Sequence, residues 1–258
     1  METRRSSQAF RIPGHGYPEA SGNILGPSGL ALRDTDWWLD LLYDFLHELH
    51  VTVVRTEMSR GDIDLNQDPS GASLYPGLTT TTFCPSAMSD GVPFYEIGYE
   101  PDEAEVGRRR STWFQPYHEA LRREIDRLST LHGTFVLYDC HSIWSVVPRL
   151  FRGELPHVSI GTNDGSSCSP ELSSLVAAAF SASSYACVTD GRFTGGWITR
   201  EYRVPCMGVH AIQAELACRT YMNEVNGNHP APYSRYRAKD VKAVLKRTFE
   251  EVVRWSRG

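Results

Sequence analysis

The sequence predicts an α/β fold, with a mainly parallel, twisted sheet flanked by helices on both faces. It is expected to form one domain over residues 1–258, with residues 1–33 partly irregular. Three observations lead there. Segments with helical spacing of apolar residues are repeatedly followed by short β-branched runs, the order expected when helices connect parallel strands. A chain of 258 residues can bury one sizeable core without splitting. Two stretches, 61–101 and 189–208, are rich in Gly, Pro, Thr and Ser and longer than a simple connection needs, as loops that build sites usually are.

Taken in order, residues Asp36 to His50 place Trp37, Leu41, Phe45 and Leu49 at helical spacing, with Asp34 or Thr35 available as the cap. The run VTVV at 51–54 follows as a buried strand. A longer helical pattern from Asp102 to Leu131, interrupted at Pro116, leads into the strand TFVLYD at 134–139. A helix from Pro170 to about Ala182 precedes a short strand, YACV, at 185–188. The chain closes with an amphipathic helix from Lys239 to Arg257.

A net charge of -5 and a pI near 6.0 leave no excess positive potential to attract nucleic acid or an anionic membrane. Six cysteines, Cys84, Cys140, Cys168, Cys187, Cys206 and Cys218, are widely spaced and form no C-x-x-C pair, the usage of a reducing compartment. The start, METRRSSQAF, lacks the apolar run of a secretory signal, and the uncharged stretch Leu172 to Thr189 is too rich in Ser and Ala to span a membrane. A cytoplasmic protein that binds neither nucleic acid nor a membrane is therefore expected; the sequence does not set its oligomeric state.

Several segments carry polar residues that a plain core would not choose. In YDCHSI, a hydrophobic strand ends in Asp139, His141 and Ser142. At the carboxyl end of such a strand His141 would enter a ligand crevice, with Asp139 close enough to orient its ring. This reads either as a metal ligand or as a buried histidine satisfied by its neighbour. In SRGDIDLNQDP, Arg60 is suited to an oxyanion and Asn66 to a substrate carboxylate, while an Asx turn beside a surface arginine explains the same residues. In GVHAIQAELACR, strand alternation puts Val209, Ala211, Gln213 and Glu215 on one face. A carboxylate in so apolar a segment is either a water-activating base or the partner of Arg219 or Arg200. The glycine-rich GRFTGGWITR carries Arg192 and Arg200, both suited to bidentate carboxylate binding. His15 lies between two glycines, and Asp34, Asp36 and Asp40 crowd a helix start, where acids more often complement the helix dipole than bind metal.

Six strings in order resemble the N-formylglutamate amidohydrolases over about residues 34–222: DTDWWLDLLY (34–43), IDLNQDPSGASLYPG (63–77), PYHEALRREI (116–125), DCHSI (139–143), GRFTGGWITR (191–200) and GVHAIQAEL (208–216). The resemblance implies a phosphorylase/hydrolase-like fold of the zinc-carboxypeptidase kind and zinc-dependent hydrolysis of N-formyl-L-glutamate in histidine breakdown. It also implies one zinc held by His141, with one N-terminal carboxylate, Asp36 ahead of Asp40, and with His15 as a third ligand after a one-residue shift; Glu215 would be the base and Arg60 the oxyanion partner. Asn66, Gln67, Arg192 and Arg200 would then contact the substrate, an N-acyl amino acid. Two positions depart from the family pattern. Gln67 stands where the family usually has Arg in D-L-N-R, and Pro13-Gly14-His15-Gly16 replaces P-H-A-G or P-H-S-G. These departures leave open a shifted N-acyl amino acid substrate, or a catalytically silent member that binds a ligand on the same scaffold.

Overall fold

A computed structural model describes residues 8–12, 25–224 and 230–258. Six strands form one sheet: β1 (Gln8–Ile12), β2 (Thr52–Arg55), β3 (Phe135–Ile143), β4 (Val158–Gly161), β5 (Cys187–Thr189) and β6 (Val209–Ala217), in the order β2-β1-β3-β6-β4-β5. All neighbours run parallel except β4, which is antiparallel to β6. The expected mainly parallel sheet is therefore present, with one reversal. β4 reaches the sheet through the irregular stretch 144–157 rather than a crossover helix, so nothing forces it to run with β6. A helical crossover does join β4 to β5, through Pro170–Ser181, and that pair is parallel.

β3 and β6 are buried along nearly their whole length, as central parallel strands covered on both faces must be. Alternation sorts their side chains. Val136, Tyr138, Cys140, Ile212, Ala214 and Leu216 join the larger apolar cluster, which the helices at Pro170–Ser181 and Arg235–Trp255 cover with Leu172, Val176, Phe180, Val241, Leu245 and Phe249. The opposite face begins apolar, with Phe135, Leu137, Val209 and Ala211 packed against Leu121, Ile125 and Leu128 of the helix Gln115–Leu131. Further along the same face come Asp139, His141, Gln213 and Glu215. The polar residues thus lie toward the carboxyl ends of both strands.

Most helices lie where spacing places them, and the exceptions have local causes. The expected helix from Asp36 to His50 is instead a single turn, Leu39–Leu42, followed by a 3-10 segment, Asp44–Leu49. Asp36 is drawn aside to accept from the Ser142 backbone N–H at 2.5 Å, and Trp38 takes a left-handed φ of 63° while its indole N–H bonds Ala231 O. Asp34 does not cap this turn; its carboxylate accepts from the N–H and hydroxyl of Ser89. The apolar face survives through Leu39, Leu42, Phe45 and Leu46, while Leu41 faces solvent. The long pattern after Asp102 forms Glu103–Arg109, one π turn at Arg110–Phe114 and Gln115–Leu131. Pro116 sits in the first turn of the last piece, where its missing N–H is tolerated. The Asp102 carboxylate caps the start by accepting from Glu105 N.

Arg109, 2% exposed, ties this helix to the irregular stretch 61–101 through Asp62 O and the Tyr95 hydroxyl, both at 2.7 Å. No helix among the described residues is long and apolar enough to cross a membrane. All six cysteines are free thiols.

Gly208 closes the entry to β6. Its φ is +81°, its carbonyl accepts from Phe135 N at 3.0 Å, and a Cβ there would overlap the Gly133 carbonyl. Replacing Gly208 by Ala is expected to destabilise the fold by about 2 kcal/mol or more, from left-handed strain plus the clash. Denaturant unfolding of the variant checks this, and an unchanged midpoint would show that the turn relaxes freely.

Candidate active site

The parallel register of β3 and β6 sets Asp139 beside Gln213 and His141 beside Glu215. Three of these side chains, His141, Gln213 and Glu215, line a cleft of about 90 Å³ whose walls come largely from the two irregular stretches and from residues 33–35 and 142–144. Arg60, Asn66, Gln67, His141, Arg192 and Glu215 all line it. Asp36 lies against this lining, bonded to Arg60. Arg200 does not line the cleft, and His15 lies outside the described residues.

His141, 1% exposed, is oriented from both sides of its ring. Nε2 lies 2.9 Å from both Asp139 Oδ2 and Asn66 Nδ2, and Nδ1 faces Asp36 Oδ2 at 3.6 Å. Arg60 Nη2 contacts both of these facing atoms, Asp36 Oδ2 at 3.1 Å and His141 Nδ1 at 3.2 Å. Its Nε lies 3.6 Å from Asp64 Oδ2. Burial alone would raise the Asp36 pKa, but Arg60 and His141 overcome it and hold the carboxyl below the usual range. Burial likewise works against the charge of Arg60, and Asp36, Asp64 and Glu215 together push its pKa upward.

Asn66 knits the three segments together. Its Oδ1 accepts from Ile198 N at 2.8 Å, which fixes the amide orientation and turns Nδ2 inward. Nδ2 then donates to Asp139 Oδ2 at 2.8 Å and Gln213 Oε1 at 3.2 Å. An Asx turn is present too, but Asp64 forms it by accepting from Asn66 N. The polar atoms of Asn66 are thus engaged within the protein.

Glu215 is 6% exposed. Gln213 Nε2 donates to its Oε2 at 3.2 Å, whereas Oε1 is buried with no hydrogen-bond partner. Burial first, then the nearby carboxylates of Asp36 and Asp139, pushes its pKa up to about 7 against the pull of His141 and Arg60. Neither arginine considered as its ion-pair partner takes that place. Arg219 pairs with Glu154 and Leu155 O, and Arg200 donates to Gly195 O and Thr194 Oγ1.

Arg192 is placed differently from every other guanidinium of the cleft. Nε and Nη2 donate to the carbonyls of Leu150 and Thr79, Nη1 is buried with no partner, and the group stacks over Tyr75 and Phe193. Arg60 and Arg33 are paired with aspartates, but among the described residues no carboxylate lies within 4.0 Å of Arg192. Burial lowers its pKa, as expected of a cation lacking an anion. Gln67 donates to Thr81 Oγ1 at 3.2 Å, making that part of the wall polar but neutral.

Three contributors went unassigned in the sequence. Gln213 was placed on the face of Glu215 by alternation, but nothing local marks its hydrogen bonds. Tyr75, whose hydroxyl donates to Gly195 O, and Gly196, whose N–H donates to Gln213 Oε1, act through contacts more than 15 positions away along the chain and so leave no spacing signal.

The fold has counterparts among solved structures. The chain superposes on an N-formylglutamate amidohydrolase from Ralstonia eutropha with a TM-score of 0.80 at 20% identity, covering 99% of this chain and 96% of that one. A gene product from Agrobacterium tumefaciens gives 0.72 at 17% identity, with 99% and 93% covered. At such identities the likeness concerns the fold alone. Residues 13–222 match the family model for N-formylglutamate amidohydrolase, and the chain belongs to that family. Sequence relatives agree: N-formylglutamate deformylases from Pseudomonas putida and Pseudomonas aeruginosa are 41% and 40% identical. The first alignment covers 87% of this chain and 83% of the relative, the second 88% and 84%.

Proposed function

We propose that the chain hydrolyses the amide bond of N-formyl-L-glutamate to formate and L-glutamate, as a cytoplasmic step of histidine breakdown and with the help of one zinc ion. The observation that carries the reading is Glu215, a buried carboxylate whose Oε1 has no partner and which lines the same cleft as His141 and an unpaired arginine. Family membership and the deformylase relatives support the substrate.

The donor set suits a metal. Asp36 Oδ2 and His141 Nδ1 face one another at 3.6 Å, near the roughly 3.4 Å expected between two ligands of a tetrahedral zinc. A guanidinium already rests against both atoms, so the niche is one that favours a cation. Among the described residues these two are joined by no third ligand, and His15 is proposed for that place. Bound there, zinc would supply a Lewis acid that polarises the formyl carbonyl and acidifies water.

The protein's own groups do the rest. Glu215 accepts the proton of the attacking water and returns it to the departing amine, for which a pKa near 7 is well matched. Arg60 offers N–H groups to the oxygen on which charge develops. Arg192 presents its free N–H groups to a substrate carboxylate while Tyr75 and Phe193 hold it flat. A second reading, an N-acyl amino acid without a side-chain carboxylate, draws support from the neutral Gln67–Thr81 pair.

Glu215→Gln keeps shape but removes the base, and is expected to lower kcat by about 10²- to 10⁴-fold with KM nearly unchanged. Steady-state assay of amine release decides, and a retained kcat would rule out Glu215 as the base. His141→Ala should lose zinc in metal analysis of the purified protein; full stoichiometry would remove that residue from the ligand set. A charge-assisted bond to carboxylate contributes about 1.5 to 3 kcal/mol, so Gln67→Arg should raise kcat/KM for N-formylglutamate about tenfold to a hundredfold. The gain should exceed that for an N-formyl amino acid with a neutral side chain, and equal effects on both would place Gln67 away from the substrate carboxylate.

A further inference from the structure

We infer that Gln213 is a positioning residue that holds the Glu215 carboxylate by one oxygen and turns the other toward the cleft; this rests on the reading of Glu215 as proton acceptor. Gln213 is 5% exposed and stands two positions before Glu215 on the same face of β6. A glutamine amide can ordinarily flip, exchanging donor for acceptor. Here it cannot. Oε1 accepts from Gly196 N at 2.7 Å and from Asn66 Nδ2 at 3.2 Å, so Nε2 must face Glu215 Oε2, which it meets at 3.2 Å.

Both donors are themselves held. Asn66 is oriented by Ile198 N, and its backbone carbonyl accepts from Trp197 N at 3.0 Å. The chain at Gly196 packs so closely on Asn66 that a Cβ there would overlap the amide. The Tyr75 hydroxyl holds the preceding carbonyl, Gly195 O, at 2.9 Å. Two loops thus meet on the oxygen end of one amide, and its nitrogen end carries their rigidity to Glu215.

The consequence is an asymmetric carboxylate. Oε2 has a donor and Oε1 has none, so the side chain presents one lone-pair-bearing oxygen in a set direction. An amide supplies this contact without adding a charge. A lysine or arginine would stabilise the ionised carboxylate and make it a poorer base, while a second carboxylate at this distance would compete for its proton.

The test compares Gln213→Glu and Gln213→Met in the full-length, zinc-loaded chain. Glu keeps an acceptor for Gly196 and Asn66 but cannot donate to Glu215 unless the pair captures a proton; Met keeps the length and loses both functions. Both variants should lower kcat for N-formylglutamate by about tenfold to a hundredfold with KM within about threefold, and Gln213→Glu should keep wild-type zinc content and remain folded at the assay temperature. Wild-type kcat in Gln213→Glu would overturn the inference, because the amide would then serve only as an acceptor for the loops. A loss of kcat that merely follows lost zinc or lost fold in both variants would overturn it as well. The two readings separate through Glu215→Gln: if that variant is inactive while both Gln213 variants are normal, the positioning role alone fails, and if Glu215→Gln is active, the base assignment itself falls.

Discussion

The whole site depends on the parallel pairing of β3 with β6. Residues opposite one another in a parallel ladder point to the same face, so the register that joins His141 to Glu215 also joins Asp139 to Gln213. A slip of one residue would turn His141 toward the face that carries Tyr138 and Cys140, where it would meet an apolar layer. What prevents the slip is hydrophobic burial on both sides. Phe135 and Leu137 are committed to one cluster, Val136 and Tyr138 to the other, and no shifted register satisfies both. The chemistry is thereby specified by apolar residues that take no part in it.

The charge arrangement follows from placing polar groups at the end of such strands. Asp36, Asp64, Asp139 and Glu215 are all buried around Arg60 and His141, an excess of acid in a poorly solvated space. Each carboxylate meets this in its own way. Asp36 is stabilised by Arg60 and by Ser142, Asp139 takes the histidine and Asn66, and Asp64 folds back on its own turn. Glu215 receives one neutral amide, and its affinity for a proton rises. Arg192 stands apart from this crowd, and that separation keeps its guanidinium from being neutralised within the protein.

Much of this was legible in the sequence, because period and composition report burial. The alternation in GVHAIQAEL put Gln213 with Glu215, and the strand ending DCHS put His141 at a carboxyl end; both hold in the structure. Where the reading failed, a distant partner had overruled a local preference. The spacing of Trp37, Leu41, Phe45 and Leu49 is helical, yet tethers from Asp36 to Ser142 and from Trp38 to Ala231 break the helix. The antiparallel β4 has no local signature, since its direction depends on how residues 144–157 return to the sheet. Arg200 illustrates the same limit within the site. Its residue type suits a carboxylate as well as that of Arg192, but only the fold shows that it braces Gly195 and Tyr75 instead.

Such a site is held against the preference of its own groups. Glu215 has an ordinary pKa of 4.5 and, in the folded protein alone, a value pushed up to about 7. Between those two values the folded chain keeps a proton that the unfolded chain releases, so folding becomes less favourable as pH rises through this window and changes no further above it. An acid that gained a cation partner would show the opposite sign, contributing stability that is lost as pH falls. Asp36, held low by Arg60 and His141, is of that second kind. The two carboxylates, brought together by one pair of strands, therefore load the fold in opposite senses. The one that destabilises it is the cleft-lining carboxylate with an unpartnered oxygen, the character a proton acceptor needs.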